Sequence, residues 1–234
     1  MQHNTFNQPI GDALPDFTVG KMPDVQCLNG RFCRLERLSV AKHAEDLWLV
    51  YNHETRPQNW TYLPPSFGPF AEKSAFIAFL TQTEAAQDPY CFSIIDLATE
   101  KALGTFSLMR IAPANRVVEV GAVIYSDALK RSRIATEAQF LLAQYVFETL
   151  QYRRYEWKCD ALNQPSRNAA ERLGFTFEGI FRQAQVYHQR NRDTAWFSML
   201  DSEWSARKQR FQAWLADENF NVDGSQKIAL REIK

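Results

Sequence analysis

Three cationic side chains, Lys130, Arg131 and Arg133, crowd one point where a strand-like run passes into a helix-like one. The run before it, Val117–Tyr125, reads as a strand. After it, residues 133–150 carry Ala138, Leu141, Leu142, Tyr145, Val146 and Leu150 at helical spacing. A strand that feeds a tight turn at a helix start leaves backbone N–H groups unpaired, and the helix dipole adds positive potential there. Phosphate binds at such places. With the cations added, the turn suits a pyrophosphate and one further phosphate; the plainer alternative is a solvated basic turn. The other reactive residue types form no second constellation. Cys27, Cys33, Cys91 and Cys159 include no CxxC pair and no His at metal spacing, so they read as buried free thiols and no metal is expected. His3, His43, His53 and His188 are scattered, with no Ser/His/Asp arrangement. His53 lies near an aromatic stretch, where it either touches a substrate or is an ordinary surface residue.

A second segment gives the turn its context: Asn163-Gln164-Pro165-Ser166, then Leu173-Gly174-Phe175 and Phe177-Glu178-Gly179. Together with Ala135-Thr136-Glu137-Ala138 it resembles the GNAT N-acetyltransferase superfamily, and within it the branch of the RimJ/RimL ribosomal-protein N-acetyltransferases. The resemblance spans residues 34 to 204 and is most specific between Val117 and Gly179. It implies acetyl-coenzyme A as acetyl donor and a primary amine as acceptor, either a small molecule or a protein N-terminus. The family's phosphate turn, Q/R-x-x-G-x-G/A, falls on Lys130-Arg131-Ser132-Arg133-Ile134-Ala135. Backbone amides from Arg131 to Thr136 would hold the pyrophosphate. The departures are Lys130 for Gln or Arg, and Arg133 for the central Gly. Glycine lets backbone approach a ligand without a Cβ, so the Arg133 side chain must either point away or grip phosphate.

The same resemblance implies that Val123, Ile124 and Tyr125 pair with the pantetheine arm, with the amide near Val123 polarising the thioester carbonyl. Gly121 fits a bulge there or a packing contact. Asn163 would contact the pantetheine arm, or serve as a turn or cap residue before Pro165. Direct transfer needs a neutral amine, a stabilised oxyanion and a proton for the departing thiolate. The Tyr that many family members use as acid falls on Ala170. The RimL-like acid falls on Ser166, also a suitable helix cap. For the base, Glu119 is the first choice, acting directly or through water, with Glu178 and Asp160 behind it. The RimL-like base falls near Gln185, which accepts no proton at neutral pH. A rival reading is a non-catalytic acyl-CoA sensor or scaffold with the same fold.

These residues need a scaffold. Strands are expected over 31–38, Tyr90–Asp96, 102–111, Val117–Tyr125, 155–160, 177–187 and 194–200. Helices are expected over Val40–Tyr51 behind Ser39 as cap, and over 71–86, 133–150, 166–173 stopped by Gly174, and 203–215. The Pro-rich stretch 55–70 reads as a loop, in which Trp60, Tyr62 and Phe67 either wall an amine site or pack as a lid. A polar turn over 188–193, with Arg190, Arg192 and Asp193, would form the second substrate wall or an ordinary hairpin tip. The order is that of an α+β domain: a central twisted, mostly antiparallel mixed sheet flanked by helices. Residues 1–23 are read as an irregular arm, 24–204 as the acetyltransferase domain, and 205–234 as a terminal helix with a loose tail beyond Asp217. Hydrophobic residues at 45% and charged residues at 23% suit a sizeable core. Lys+Arg and Asp+Glu are both 27, which argues against a general nucleic-acid binder. No apolar run approaches a membrane span, and the polar start lacks a signal-peptide core. A cytoplasmic monomer or homodimer is expected.

Overall fold

The strand Tyr90–Asp96 is buried at every residue, and that sets the architecture. Tyr90, Phe92 and Ile94 join one apolar cluster, while Cys91 and Ile95 join another. A sheet apolar on both faces needs helices on both. The computed structural model describes residues 2–233 apart from 53, 55 and 56. In chain order the strands are β1 (Gln2–His3), β2 (Pro9–Ile10), β3 (Cys27–Asn29), β4 (Cys33–Arg37), β5 (Tyr90–Asp96), β6 (Lys101–Ala112), β7 (Val117–Tyr125), β8 (Arg154–Asp160), β9 (Thr176–Tyr187) and β10 (Arg190–Leu200). The α-helices are α1 (Val40–Tyr51), α2 (Lys73–Ala85), α3 (Arg133–Gln144), α4 (Gln164–Leu173) and α5 (Asp201–Leu215). β1 and β2 pair only with each other. The remaining strands form one eight-stranded sheet in the order β3-β4-β5-β6-β7-β8-β10-β9. Helices α1 and α2 cover one face, and α3 and α5 the other. The fold is thus the mixed, mostly antiparallel α+β arrangement expected. Among the described residues no helix is long and apolar enough to cross a membrane.

The feature that positions the site is the pair β7–β8, the parallel pair of the sheet. Its register runs from Val117 against Arg154 to Val120 against Trp157, and stops there. On its other side β7 slips against β6: Gly121 faces Ser107, but Ile124 faces Thr105. Three steps on β7 oppose two on β6, with Ala122 in the left-handed region at φ 49°. Such a bulge bends the strand, and beyond Val120 β7 leaves β8. A wedge opens between residues 121–125 on one side and 158–160 on the other.

Several expectations are corrected. Of the four thiols expected to be buried, Cys27 is exposed, because it begins the edge strand β3. Helix 133–150 stops being α-helical at Gln144 and continues as a wider π turn over Tyr145–Thr149. Ser39 precedes α1 without a side-chain capping bond; its N–H instead donates to Nδ1 of His43 at 3.1 Å. α4 begins at Gln164 rather than at Ser166, because the Oδ1 of Asn163 accepts the Ser166 N–H at 3.2 Å and makes Asn163 the cap. The turn foreseen over 188–193 is only His188 and Gln189, both left-handed at φ 49° and 55°, so β10 begins at Arg190. Two-residue hairpins favour such dihedrals. From Pro57 onward the aromatic loop contains two 3-10 turns, Pro57–Trp60 and Pro65–Phe67. The tail beyond Asp217 is packed: the Asn219 amide donates to the carbonyls of Trp214 and Ile228, and Leu230 is fully buried.

Candidate active site

The wedge widens into a cavity of about 1390 Å³ that runs from the aromatic loop to the tail. Val123, Ile124 and Tyr125 line it on one side, and Asn163, the cap of α4, and Ser166 within α4 line it as well. Lys130, Arg131, Ser132, Arg133, Ala135 and Thr136 line the phosphate turn. Trp60, Tyr62 and Phe67 line the far end. Two expected residues stand outside the wall. Ile134 packs against the core, and Glu119 lies behind Gly121. His53 lies outside the described residues.

At the phosphate turn, Ser132 caps α3. Its Oγ accepts the Ala135 N–H at 3.0 Å and donates to the Leu129 carbonyl at 2.7 Å. The three cations have separate fates. Lys130 reaches Asn59 Oδ1 at 2.6 Å and Asp127 Oδ1 at 2.9 Å, tying the turn to the aromatic loop. Arg133 turns away from the turn: its guanidinium sits between the rings of Phe32 and Phe220, at 4.0 and 3.9 Å. It also donates to the Leu215 carbonyl and to Asp217. A side chain at the family's glycine position is thus accommodated by sending it into the tail. Arg131, at φ 59°, lines the cavity and has no hydrogen-bond or ion-pair partner among the described residues. Sequence reasoning missed Arg172, which lines the tail end of the cavity beside Trp214, its guanidinium 4.9 Å from the ring centroid, and donates to Thr136 Oγ1 at 3.2 Å. Burial, aided by neighbouring Arg210, makes its charge less favourable than usual, so an anion there would relieve it.

At the thioester end, Ser166 Oγ accepts the indole N–H of Trp157 at 3.0 Å. That bond occupies an acceptor lone pair and leaves the hydroxyl proton for donation. Nothing in the motif signalled Trp157; only the β8 register brings it under α4. Burial holds the neighbouring Cys159 thiol above its ordinary range. Ala122 and Val123 fall inside the bulge and have no ladder partner on β6. A backbone donor outside the ladder is what an oxyanion site requires.

The proposed bases differ sharply. Glu178 is gripped by Arg154 at 2.8 and 2.5 Å and by Ser198 at 2.7 Å. These partners, Arg154 foremost, hold its carboxyl below the usual range, and it does not line the cavity. Glu119 is buried; its Oε2 meets Arg110 at 3.2 Å and Lys158 at 3.0 Å. Burial still pushes its carboxyl above the ordinary range against both cations. Asp160 lines the cavity, accepting the Tyr187 hydroxyl at 2.5 Å and the Leu162 N–H at 2.8 Å. Gln185 also lines it.

The aromatic loop is both wall and packed lid. Trp60 is 5% exposed and lies 5.8 Å from the ring of Tyr51. The loop is also fastened across the cavity: Tyr62 donates to the Leu162 carbonyl at 3.3 Å, Arg190 donates to the Thr61 carbonyl at 3.4 Å, and His188 Nε2 lies 2.9 Å from the Leu63 carbonyl.

Comparison with known proteins agrees with this geometry. A family model described as the acetyltransferase (GNAT) domain matches residues 34–176. The chain belongs to the GNAT acetyltransferase family. As a GNAT acetyltransferase it takes its acetyl group from acetyl-coenzyme A. A crystal structure of a GCN5-related N-acetyltransferase from Brucella melitensis is similar at 48% identity and TM-score 0.90, covering 94% of this chain and 99% of that one. YdaF of Bacillus subtilis is 31% identical over 105 residues, 45% of this chain and 57% of its own length. The ribosomal-protein-serine acetyltransferase of Escherichia coli is 28% identical over 105 residues, 44% of this chain and 58% of that protein. The chain spans less than two thirds of the length of either of these two relatives.

Proposed function

We propose that this GNAT protein transfers the acetyl group directly to a primary amine held in the same cavity, in a ternary complex. The observation that carries the reading is the parting of β7 and β8 after Val120 and Trp157, directly below the phosphate turn. Acetyl-coenzyme A supplies the acetyl group as a thioester. The backbone amides of Arg131 and Arg133, which no other group of the turn occupies among the described residues, and the Arg131 guanidinium bind its pyrophosphate. Val123 N–H, free of the ladder, stabilises the oxyanion that forms as nitrogen attacks the carbonyl carbon. Glu119, its proton affinity raised by burial, accepts the amine's proton through water. As the C–S bond breaks, Ser166 donates its proton to the leaving sulfur, its hydroxyl oriented by Trp157. Asn163 caps α4 and thereby fixes the Ser166 position.

The side-chain bridges over the aromatic loop favour a small acceptor over a protein N-terminus, which needs an open groove. The binding-only alternative was motivated by Arg133, by Ala170 at the Tyr position and by Gln185 at the base position; the withdrawal of the Arg133 side chain into the tail weakens the first of these motives, and turnover tests the other two. The test is thiol release from acetyl-coenzyme A with small amines, amino acids and N-terminal peptides, alongside calorimetric titration of the donor. Release with one class, lost in Ser166→Ala while donor binding persists, supports the reading. Absence of donor binding at near-physiological concentration refutes it.

A further inference from the structure

The acceptor end of the cavity carries charges that its own neighbours leave uncompensated. Arg110 and Lys158 both line it, but both are committed to Glu119, and Lys158 also to Glu156 at 2.7 Å. Arg192 is different. Its guanidinium lines the cavity with no hydrogen bond and no carboxylate partner among the described residues, and its Nε is buried and unpartnered. Asp160 is its counterpart: 5% exposed, at the wall, hydrogen-bonded only by a phenol and a backbone N–H, both neutral. Tyr187 joins them, its ring 5.7 Å from the Arg192 guanidinium and its hydroxyl on Asp160. A wall with a buried anion and a half-buried cation, neither ion-paired among the described residues, is costly in the empty protein and complementary to a ligand of the reverse polarity. Each oxygen of a carboxylate accepts more than one hydrogen bond, so Asp160 keeps capacity for an ammonium.

We infer that the acceptor is a small zwitterion with the pattern of a free α-amino acid, its carboxylate clamped by Arg192 and its ammonium received by Asp160. The inference rests on the acetyl transfer proposed above. The planar guanidinium matches a carboxylate through paired N–H bonds. Asp160 orients the ammonium before its proton is lost, and the apolar rings of Trp60 and Phe67 leave room for an apolar side chain. A peptide N-terminus lacks the adjacent carboxylate, and its chain would have to pass the loop bridged to Leu162 and to the hairpin.

The experiment uses the full chain with acetyl-coenzyme A and the free α-amino acids as a set. For each amino acid acetylated, its carboxamide and its decarboxylated amine are measured beside it. The expected result is acetylation of the acids, with KM for the amide and the amine higher by about tenfold or more, as for loss of a charge-assisted hydrogen bond. Arg192→Gln should raise KM for the acid by a similar factor and leave KM for the decarboxylated amine and calorimetric donor binding unchanged; Arg192→Lys should recover part of the loss. The wild-type comparison of acid with amide stands even if a variant misfolds. Equal use of acid, amide and amine overturns the inference, as does donor binding with no amino acid acetylated. Failure of the donor itself to bind overturns the proposed function instead.

Discussion

Placing glycine at position 133, where the family turn carries it, should weaken this protein. The guanidinium of Arg133 lies 4.0 Å from the centroid of Phe32 and 3.9 Å from that of Phe220, and also donates to the Leu215 carbonyl. Each cation–π contact is worth about 0.5–1 kcal/mol, and a hydrogen bond from a charged donor about 1.5–3 kcal/mol. The side chain is 20% exposed, which discounts the electrostatic part. Arg133→Gly therefore costs about 2–4 kcal/mol, or roughly 4–16 °C in melting temperature for a chain of this size. The tail is what the arginine holds, so protease cleavage should appear first between residues 217 and 229. Differential scanning calorimetry, limited proteolysis and donor titration together decide the matter. A variant as stable as wild type, with tighter donor binding, would refute the assignment of Arg133 to the tail and restore the view that it obstructs the turn.

Three further outcomes follow from the site and its surroundings. Ser166→Ala should lower kcat by about a hundredfold as a lost proton donor, and Trp157→Phe by about two- to tenfold through the lost orienting bond; neither should change the donor Kd by calorimetry. Glu119 must be ionised to accept a proton, and burial raises its affinity for that proton, so kcat/KM should climb with pH along a limb above 4.5 that is missing in Glu119→Gln. His43 is buried with Nδ1 beside Ser39 N–H and the Ser93 hydroxyl, and burial lowers its proton affinity in the folded state. Its contribution is present above the ordinary value of 6.5 and is lost as pH falls below it; urea titrations should show that slope, and His43→Gln should flatten it.

What the sequence disclosed was governed by range. The α3 stripe and the strands β5 and β7 are local patterns of burial, and local periodicity reveals them. The phosphate turn was legible because its cations and its helix start are contiguous. The fates of those cations were not, since Phe32 and Phe220 reach Arg133 from distant segments. The same holds for Trp157, brought to Ser166 by strand register, and for Arg172, which meets Trp214 across two helices. Glu119 was rightly placed on β7, yet strand periodicity alone does not reveal that Gly121, not Glu119, meets the cavity. The expected loose tail was misread because its anchors, Asn219 and Leu230, are isolated residues in a polar run whose partners lie elsewhere.

The tail also bears on the order in which the molecule becomes competent. The last strand of the main sheet ends at Leu200, so a growing chain can complete that sheet before Trp214, Phe220 and Gln226, which wall one end of the cavity, have been synthesised. A nascent domain at that point has a fold but an open-ended donor cleft. Later, a donor molecule seated against those residues gains contacts only when the tail is down, and so adds its binding free energy to closure. Saturating donor should then slow proteolysis and amide exchange of residues 217–230 more than of the sheet, making this segment an internal gauge of occupancy.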